Sequence, residues 1–364
     1  IADLSTRAGM TTPLIVTDIG SSGLKFIADL KGYLSKGGLD SAIYSNISPN
    51  PRDDEIAAGK AQYRAGGHDG IIAIGGGSGM DGGKALALCA NNDLDLWAFE
   101  YEQSPPDMAC HPAFPPLITI PTTAGTGAET ESTAMITDTL RKMKWCIWHA
   151  ELKPTFAVLD PEITLGLPVK LTAWTGVDAM VHAIEAYCVP GFNPLCDGLA
   201  LEGLRLVGRW LPVAVAEPSN LEARGAMLAG SCLSGIAFLK GLGLVHAISH
   251  MVGAEYDTQH GLTNAVVLPA ALRHNAPALA DKIEPLSQAM GLRDTSFEAF
   301  YAHVCVILDQ VGIPKTLTDI GVPSDCAARI ADKALQDSAA GTNACALTAQ
   351  DIERVIAVAL TKGR

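Results

Sequence analysis

The sequence predicts a chain in two halves of different class: an α/β N-terminal half built on a parallel sheet, then an all-helical C-terminal half. Three observations lead there. Four short apolar runs in the first 120 residues each lead into a helical pattern or a turn of small residues. From Leu171 onward one helical pattern follows another, and β-branched runs nearly vanish. The chain has 364 residues, 48% hydrophobic and 18% charged, which is long for one compact domain and supplies core enough for two.

Taken in order, Pro13-Leu14-Ile15-Val16-Thr17 is a strand ending at Asp18, and residues 20–35 show helical spacing through Leu24, Ile27, Leu30 and Leu34. Residues 41–44 form a second short strand. Residues 53–65 read as a helix with acids in its first turn. Gly70-Ile71-Ile72-Ala73-Ile74 is a buried strand running into Gly75-Gly76-Gly77-Ser78, and residues 81–90 form the helix after it. Leu117-Ile118-Thr119-Ile120 is a further strand, ending at Pro121-Thr122-Thr123, after a polar, proline-containing connection over 91–116. The character changes near Val158-Leu159-Asp160-Pro161. Helices are expected over 172–188, 197–215, 221–238, 243–254, 263–275, 278–290, 296–310 and 349–360. The expected domains are 1–165 and 166–364.

Composition excludes several classes. With 39 acidic and 26 basic residues the net charge is −13, which repels nucleic acid and anionic lipid. The longest basic cluster is the short run Arg141-Lys142-Met143-Lys144. No apolar run approaches the roughly 20 residues of a membrane span. The nine cysteines contain no Cys-x-x-Cys pair and read as free thiols of a reducing cytosol. That reading makes a cytoplasmic protein the expectation; no signal peptide is visible, but the chain begins at Ile1 without a methionine, so nothing rests on that absence.

The glycine-rich turn Gly75-Gly76-Gly77-Ser78-Gly79 joins a strand to a helix. Small residues there let a phosphate approach the backbone, and the helix N-terminus offers free N–H groups with a partial positive charge. Ligands of open α/β sheets bind beyond the carboxyl ends of strands, where Asp18 and Thr122, Thr123 and Thr126 also lie. A carboxylate such as Asp18 accepts both ribose hydroxyls and repels a 2′-phosphate, which favours NAD over NADP. A first-turn Gly-x-Gly-x-x-Gly is absent; the glycines come at the third strand.

In the helical half, Asp178 and His182 are four residues apart and share a helix face, and His246 and His250 repeat that spacing. His260 follows the short break Asp257-Thr258-Gln259. The flanks are apolar, so these groups need a partner, and a metal ion is an effective one. One Asp with two or three His suits Fe²⁺, Zn²⁺ or a similar ion and excludes thiolate-type structural zinc.

These motifs together identify a resemblance. Gly75-Gly76-Gly77-Ser78 with Asp81 and Lys84, Pro121-Thr122-Thr123-Ala124-Gly125-Thr126-Gly127-Ala128-Glu129, Thr175-Gly176-Val177-Asp178-Ala179 through Tyr187, Gly243 through His250, and His260-Gly261 with Asn264-Ala265 resemble, in order and across nearly the whole chain, the iron-containing (group III) alcohol dehydrogenase family. The resemblance implies a Rossmann-like N-terminal domain and a helical C-terminal domain, in a dehydroquinate synthase-like architecture, with the cofactor in the cleft between them. It implies Asp178, His182, His246 and His260 as metal ligands and His250 as a site histidine that does not ligate. Gly76, Gly77 and Ser78 match the pyrophosphate turn, Asp18 the ribose-binding acid, and Thr122, Thr123 and Thr126 the cofactor-binding loop. Lys144 falls near a family lysine that reaches the cofactor. It further implies a homodimer or larger homo-oligomer.

Two features depart from the family pattern. Gly82-Gly83 place two helix-weakening residues near a helix start, each costing roughly 1 kcal/mol. Trp145-Cys146-Ile147-Trp148-His149 has no assigned place and reads as local packing or a cleft border.

The expected function is NAD-linked oxidation of a small primary alcohol or diol, or reduction of the aldehyde, with His250 as proton relay or substrate contact. Phe238 is a candidate wall of the substrate pocket. The rivals are a metal- and NAD-dependent lyase or hydrolase, and a non-catalytic dinucleotide sensor. Hydrolysis leaves the glycine turn, Asp18 and threonine loop without purpose. A lyase acting on an anionic sugar acid needs several basic residues beside the metal motifs, where Lys240 is the nearest in sequence.

Overall fold

The computed structural model describes residues Ile1–Arg364 as two compact units. The first comprises Ile1–Thr123 and Ala128–Ile163; the second comprises Ala124–Gly127 and Thr164–Arg364.

The first unit runs α1 (Ala2–Arg7), β1 (Leu14–Val16), α2 (Lys25–Lys36), β2 (Ala42–Tyr44), α3 (Asp53–Ala65), β3 (Ile71–Gly75), α4 (Gly77–Ala90), β4 (Leu117–Pro121), β5 (Thr133–Asp138), β6 (Met143–Trp148) and β7 (Phe156–Ala157). Five strands form one parallel sheet in the order β2-β1-β3-β4-β7. Apart from Thr119, whose hydroxyl donates to Glu129 O, its three central strands are apolar because each face packs on its own core. Leu14, Val16, Ile71, Ala73 and Leu117 enter one cluster, while Ile15, Ile72, Ile74, Ile118 and Ile120 enter the other.

The structure corrects several sequence expectations. The helix expected from residue 20 begins at Lys25. Asp18 holds the preceding turn, its Oδ1 accepting from Ser21 N–H at 2.9 Å and its Oδ2 from the Ser21 hydroxyl at 2.8 Å. Helix α4 begins at Gly77 rather than residue 81, so the glycine turn supplies its first residues. The sequence reading also missed the antiparallel β5–β6 hairpin, which turns at Lys142 in the left-handed region (φ 55°). Burial alternates along β5, but the residue types do not follow it, with Met135 on the half-exposed face and Asp138 on the buried one, and β6 begins exposed. The segment without an assigned place, residues 145–149, is largely β6. Strand β7 has only two residues and no readable pattern.

Gly82 and Gly83 have a packing reason. A Cβ on Gly83 would lie 2.4 Å from Ala73 Cβ on β3, and one on Gly82 would lie 2.9 Å from the Ile47 side chain. The missing side chains let α4 settle against the sheet.

The second unit consists of α5 (Val169–Cys188), α6 (Pro194–Ala216), α7 (Leu221–Ala237), α8 (Leu244–Tyr256), α9 (His260–Asn275), α10 (Ala280–Ala289), α11 (Phe297–Gln310), α12 (Ala327–Ala334), α13 (Ser338–Gly341) and α14 (Ala349–Thr361). Helices α1, α12 and α13 were not expected: α1 and α13 have only six and four residues, and the eight-residue α12 is amphipathic but only about two turns long. Helix α5 is buried on every side from Gly176 to Cys188, which makes it the axis of the unit. Gly125 and Gly127 seat their loop here. A Cβ on Gly125 would lie 2.5 Å from Thr175, and one on Gly127 would lie 2.5 Å from Gly235 Cα. No single helix is long and apolar enough to cross a membrane.

Candidate metal centre and dinucleotide turn

Four side chains from α5, α8 and α9 meet in the helical unit, with Asp178, His182 and His246 buried and His260 partly exposed. One ligand-type atom from each of Asp178, His182, His246 and His260 lies within 4.8 Å of the others. The geometry is even: Asp178 Oδ1 stands 3.8 Å from His182 Nε2, 3.8 Å from His246 Nε2 and 3.7 Å from His260 Nε2. Helix α5 supplies the first two from one face, as their four-residue spacing requires. Helix α9 begins with His260, and Gly261 allows the close approach: its Cβ would lie 2.4 Å from Trp174 O.

Hydrogen bonds fix which nitrogen faces inward. His182 Nδ1 lies 3.1 Å from Gly125 O, and His246 Nδ1 lies 2.6 Å from Glu185 Oε2. Each Nδ1–H therefore donates outward and leaves the Nε2 lone pair facing Asp178. Burial, followed by the neighbouring His182 and His250 rings, holds His246 well below the usual imidazole range, so it is the neutral form that a metal needs.

Asn264 reports where the lone pairs point. Its Nδ2 donates to Asp178 Oδ1 at 2.7 Å and lies 3.1 Å from both His246 Nε2 and His260 Nε2. Two amide hydrogens cannot serve three acceptors, and the amide's own Oδ1 is buried without a partner. Three lone pairs thus converge on one point with too little positive charge to satisfy them. A divalent cation fits that point, and the nitrogen–oxygen donor set suits iron or zinc.

His250 lies beside this cluster and outside it. Its ring stacks on His260 at 5.4 Å, and its Nδ1 lies 2.9 Å from Asp337 Oδ2. Phe238 packs its ring 4.8 Å from that of His182. Lys240 is paired with Asp197 at 2.6 Å, so the basic residue nearest in sequence is not available for an anionic substrate.

In the first unit the other expected residues gather at strand ends. Gly75, Gly79 and Asp18 touch: a Cβ on Gly75 would fall 2.8 Å from Asp18 Oδ2, and one on Gly79 would fall 3.3 Å from it. Gly76 faces Thr123, where a Cβ would lie in ordinary contact 3.5 Å from Thr123 Cγ2, and Thr122 N–H donates to Gly75 O at 2.9 Å. Ser78 Oγ donates to Pro49 O at 2.5 Å, and Lys144 Nζ on β6 reaches Asn50 Oδ1 at 3.3 Å, so both side chains meet the same stretch. Gly77 opens α4. Thr126 groups with the helical unit rather than with Thr122 and Thr123. Asp81 and Lys84 form an ion pair at 3.2 Å, the lysine fully buried.

Three contributing residues were not singled out from the sequence. Glu185 follows Asp178 by seven positions on one helix, and Asn264 follows His260 by one turn, so helical spacing held a signal for both. Asp337 lies far along the chain and had no local signal.

Two family models cover the chain. The iron-containing alcohol dehydrogenase model matches residues 1–161, and the C-terminal model of the Fe-containing alcohol dehydrogenase family matches residues 172–360. The chain is 35% identical to the NAD-dependent methanol dehydrogenase of Bacillus methanolicus, over 97% of this chain and 93% of that one. It is 37% identical to the 1,3-propanediol dehydrogenase of Klebsiella pneumoniae, over 91% and 86%. A crystal structure of 1,3-propanediol oxidoreductase superposes with a TM-score of 0.93 at 34% identity, covering 99% of this chain and 95% of the other. A parallel α/β unit, a helical unit with an Asp-His₃ cluster, and these matches together define a metal-dependent alcohol dehydrogenase. This chain belongs to the iron-containing alcohol dehydrogenase family.

Proposed function

We propose that this protein is an NAD-linked alcohol dehydrogenase and aldehyde reductase for a small primary alcohol or diol, with Fe²⁺ or another divalent ion held by Asp178, His182, His246 and His260. The observation that carries the reading is the even spacing of three Nε2 atoms about Asp178 Oδ1. The division of labour is residues 1–165 for the dinucleotide and 166–364 for the metal and catalysis.

When bound, the metal supplies Lewis acidity toward an alcohol or carbonyl oxygen, and the nicotinamide accepts or returns hydride. The chain's own groups do the rest. Glu185 and Gly125 O keep the Nε2 atoms of His246 and His182 as lone-pair donors. Asp337 holds His250 Nδ1, which leaves Nε2 of that ring to take or give the hydroxyl proton. Phe238 lends an apolar surface beside His182. Gly76, Gly77 and Ser78 receive the pyrophosphate at the start of α4, with Thr122, Thr123, Thr126 and Lys144 as further contacts. Asp18, placed at the end of β1, receives the ribose hydroxyls and disfavours a 2′-phosphate. The relatives' names, methanol and 1,3-propanediol dehydrogenases, support small alcohols and diols as the substrate class. A homodimer or larger cytoplasmic assembly completes the reading.

The test is NADH formation from a panel of small primary alcohols and diols, with NAD and NADP compared, on protein of measured metal content. Turnover of at least one alcohol with NAD supports the reading. No turnover of any, with metal and NAD both bound, rejects it.

A further inference from the structure

We infer that Glu185 is a positioning residue of the metal centre, fixing His246 and the helix that carries it in one stroke. The inference rests on the reading that the Asp-His₃ cluster holds a metal.

Glu185 is buried, and its two oxygens do different tasks. Oε2 accepts from His246 Nδ1 at 2.6 Å, and Oε1 accepts from the Val245 N–H at 2.7 Å. Val245 lies in the first turn of α8, whose N-cap residue is Gly243 and which has no side-chain cap of its own. The first N–H groups of a helix need outside acceptors, and a carboxylate there also meets the positive end of the helix dipole. Asn343 completes the anchor: its Oδ1 accepts from Leu244 N–H at 3.1 Å, and its amide pairs with that of Asn275. Gly243 makes room for both acceptors, because a Cβ there would lie 2.9 Å from Glu185 Oε1 and 2.9 Å from Asn343 Oδ1.

His182 and His246 are therefore not held alike. His182 rests on a neutral backbone carbonyl, whereas His246 rests on a carboxylate that also secures its helix. A carboxylate on Nδ1 fixes the tautomer, restricts ring rotation and raises the basicity of Nε2. Helix α5 carries this group on the face that bears Asp178 and His182, so one helix presents two ligands and steadies a third.

The experiment uses full-length wild type, Glu185→Gln and Gly243→Ala, each stripped of metal and titrated with Zn²⁺ against a chromophoric chelator. Glutamine keeps the volume but sets an amide NH₂ against one of two donors. Gly243→Ala removes no donor and no charge but crowds both Glu185 Oε1 and Asn343 Oδ1, so it tests the whole anchor of α8 while Glu185→Gln tests the carboxylate itself. Wild type should bind one ion per chain, and each variant should bind about 10- to 100-fold more weakly. Excess metal should restore kcat in Glu185→Gln, a recovery that a merely misfolded protein would not show. Wild-type affinity in Glu185→Gln overturns the inference, whatever Gly243→Ala does. So does weakened Glu185→Gln activity that excess metal leaves unrecovered. Failure of wild type itself to bind metal overturns the underlying reading and the inference with it.

Discussion

Adding one methyl group at three helical glycines should change stability in three different ways. On propensity alone, Gly→Ala inside a helix gains about 1 kcal/mol. Gly32 in α2 has nothing within 4 Å of its would-be Cβ, so Gly32→Ala should gain close to that amount. At Gly82 the new methyl meets Cδ1 and Cγ1 of the fully buried Ile47 at 2.9 Å, so that side chain must shift and the crowding should offset the propensity gain. At Gly83 it falls 2.4 Å from Ala73 Cβ and 3.3 Å from Ala73 Cα, atoms fixed in the middle of the sheet. An ordinary contact needs about 1 Å more, so α4 must lift from β3. Overpacking of that kind costs about 1–3 kcal/mol, occasionally more, which exceeds the propensity gain. Gly83→Ala should therefore lose about 1–2 kcal/mol net. Calorimetric melting of the three variants reads this directly: Gly32→Ala above wild type, Gly82→Ala near it, Gly83→Ala below. A Gly83→Ala protein as stable as wild type would refute the claim that close packing, rather than chance, keeps that glycine.

Three further outcomes follow from the same structure. Burial pushes the Glu129 carboxyl up to about 7, above its ordinary 4.5. Between those values the folded protein holds a proton that the unfolded chain has released, so stability should fall as pH rises through this window. Melting curves at pH 5 and pH 8 should show Glu129→Gln gaining on wild type at the higher pH; parallel curves would contradict it. Asp18→Asn should weaken NAD binding about 10-fold or more, the worth of a charge-assisted hydrogen bond, and narrow the preference over NADP; fluorescence titration with both cofactors checks this. Removing Asp337 as Asn should lower kcat while leaving metal content near one ion per chain, because it touches His250 and none of the four ligands; metal analysis beside steady-state rates separates the two effects.

Much of this was legible because the signals were local. Asp178 with His182, and His246 with His250, announce shared helix faces through their spacing alone. Continuous apolar strands announced a sheet covered on both sides. What escaped depended on distance or on contact. The hairpin of β5 and β6 is half-exposed, and its residue types do not track burial: Met135 faces outward and Asp138 inward on β5. Gly82 and Gly83 read as helix-weakening residues until Ile47 and Ala73 stood against them. Lys144 and Ser78 lie far apart in sequence, yet both reach residues 49–50, which no spacing rule could connect. Asp337 became visible only when folding set it beside His250.

The central claim is that four convergent side chains hold an ion without which hydride transfer fails. The most direct measurement compares wild type with His260→Ala, scoring bound metal, NAD affinity and NADH formation on the same samples. The account predicts that the variant loses metal and turnover together while its NAD affinity stays near wild type. A His260→Ala protein that turns over alcohol at the wild-type rate without bound metal would contradict it.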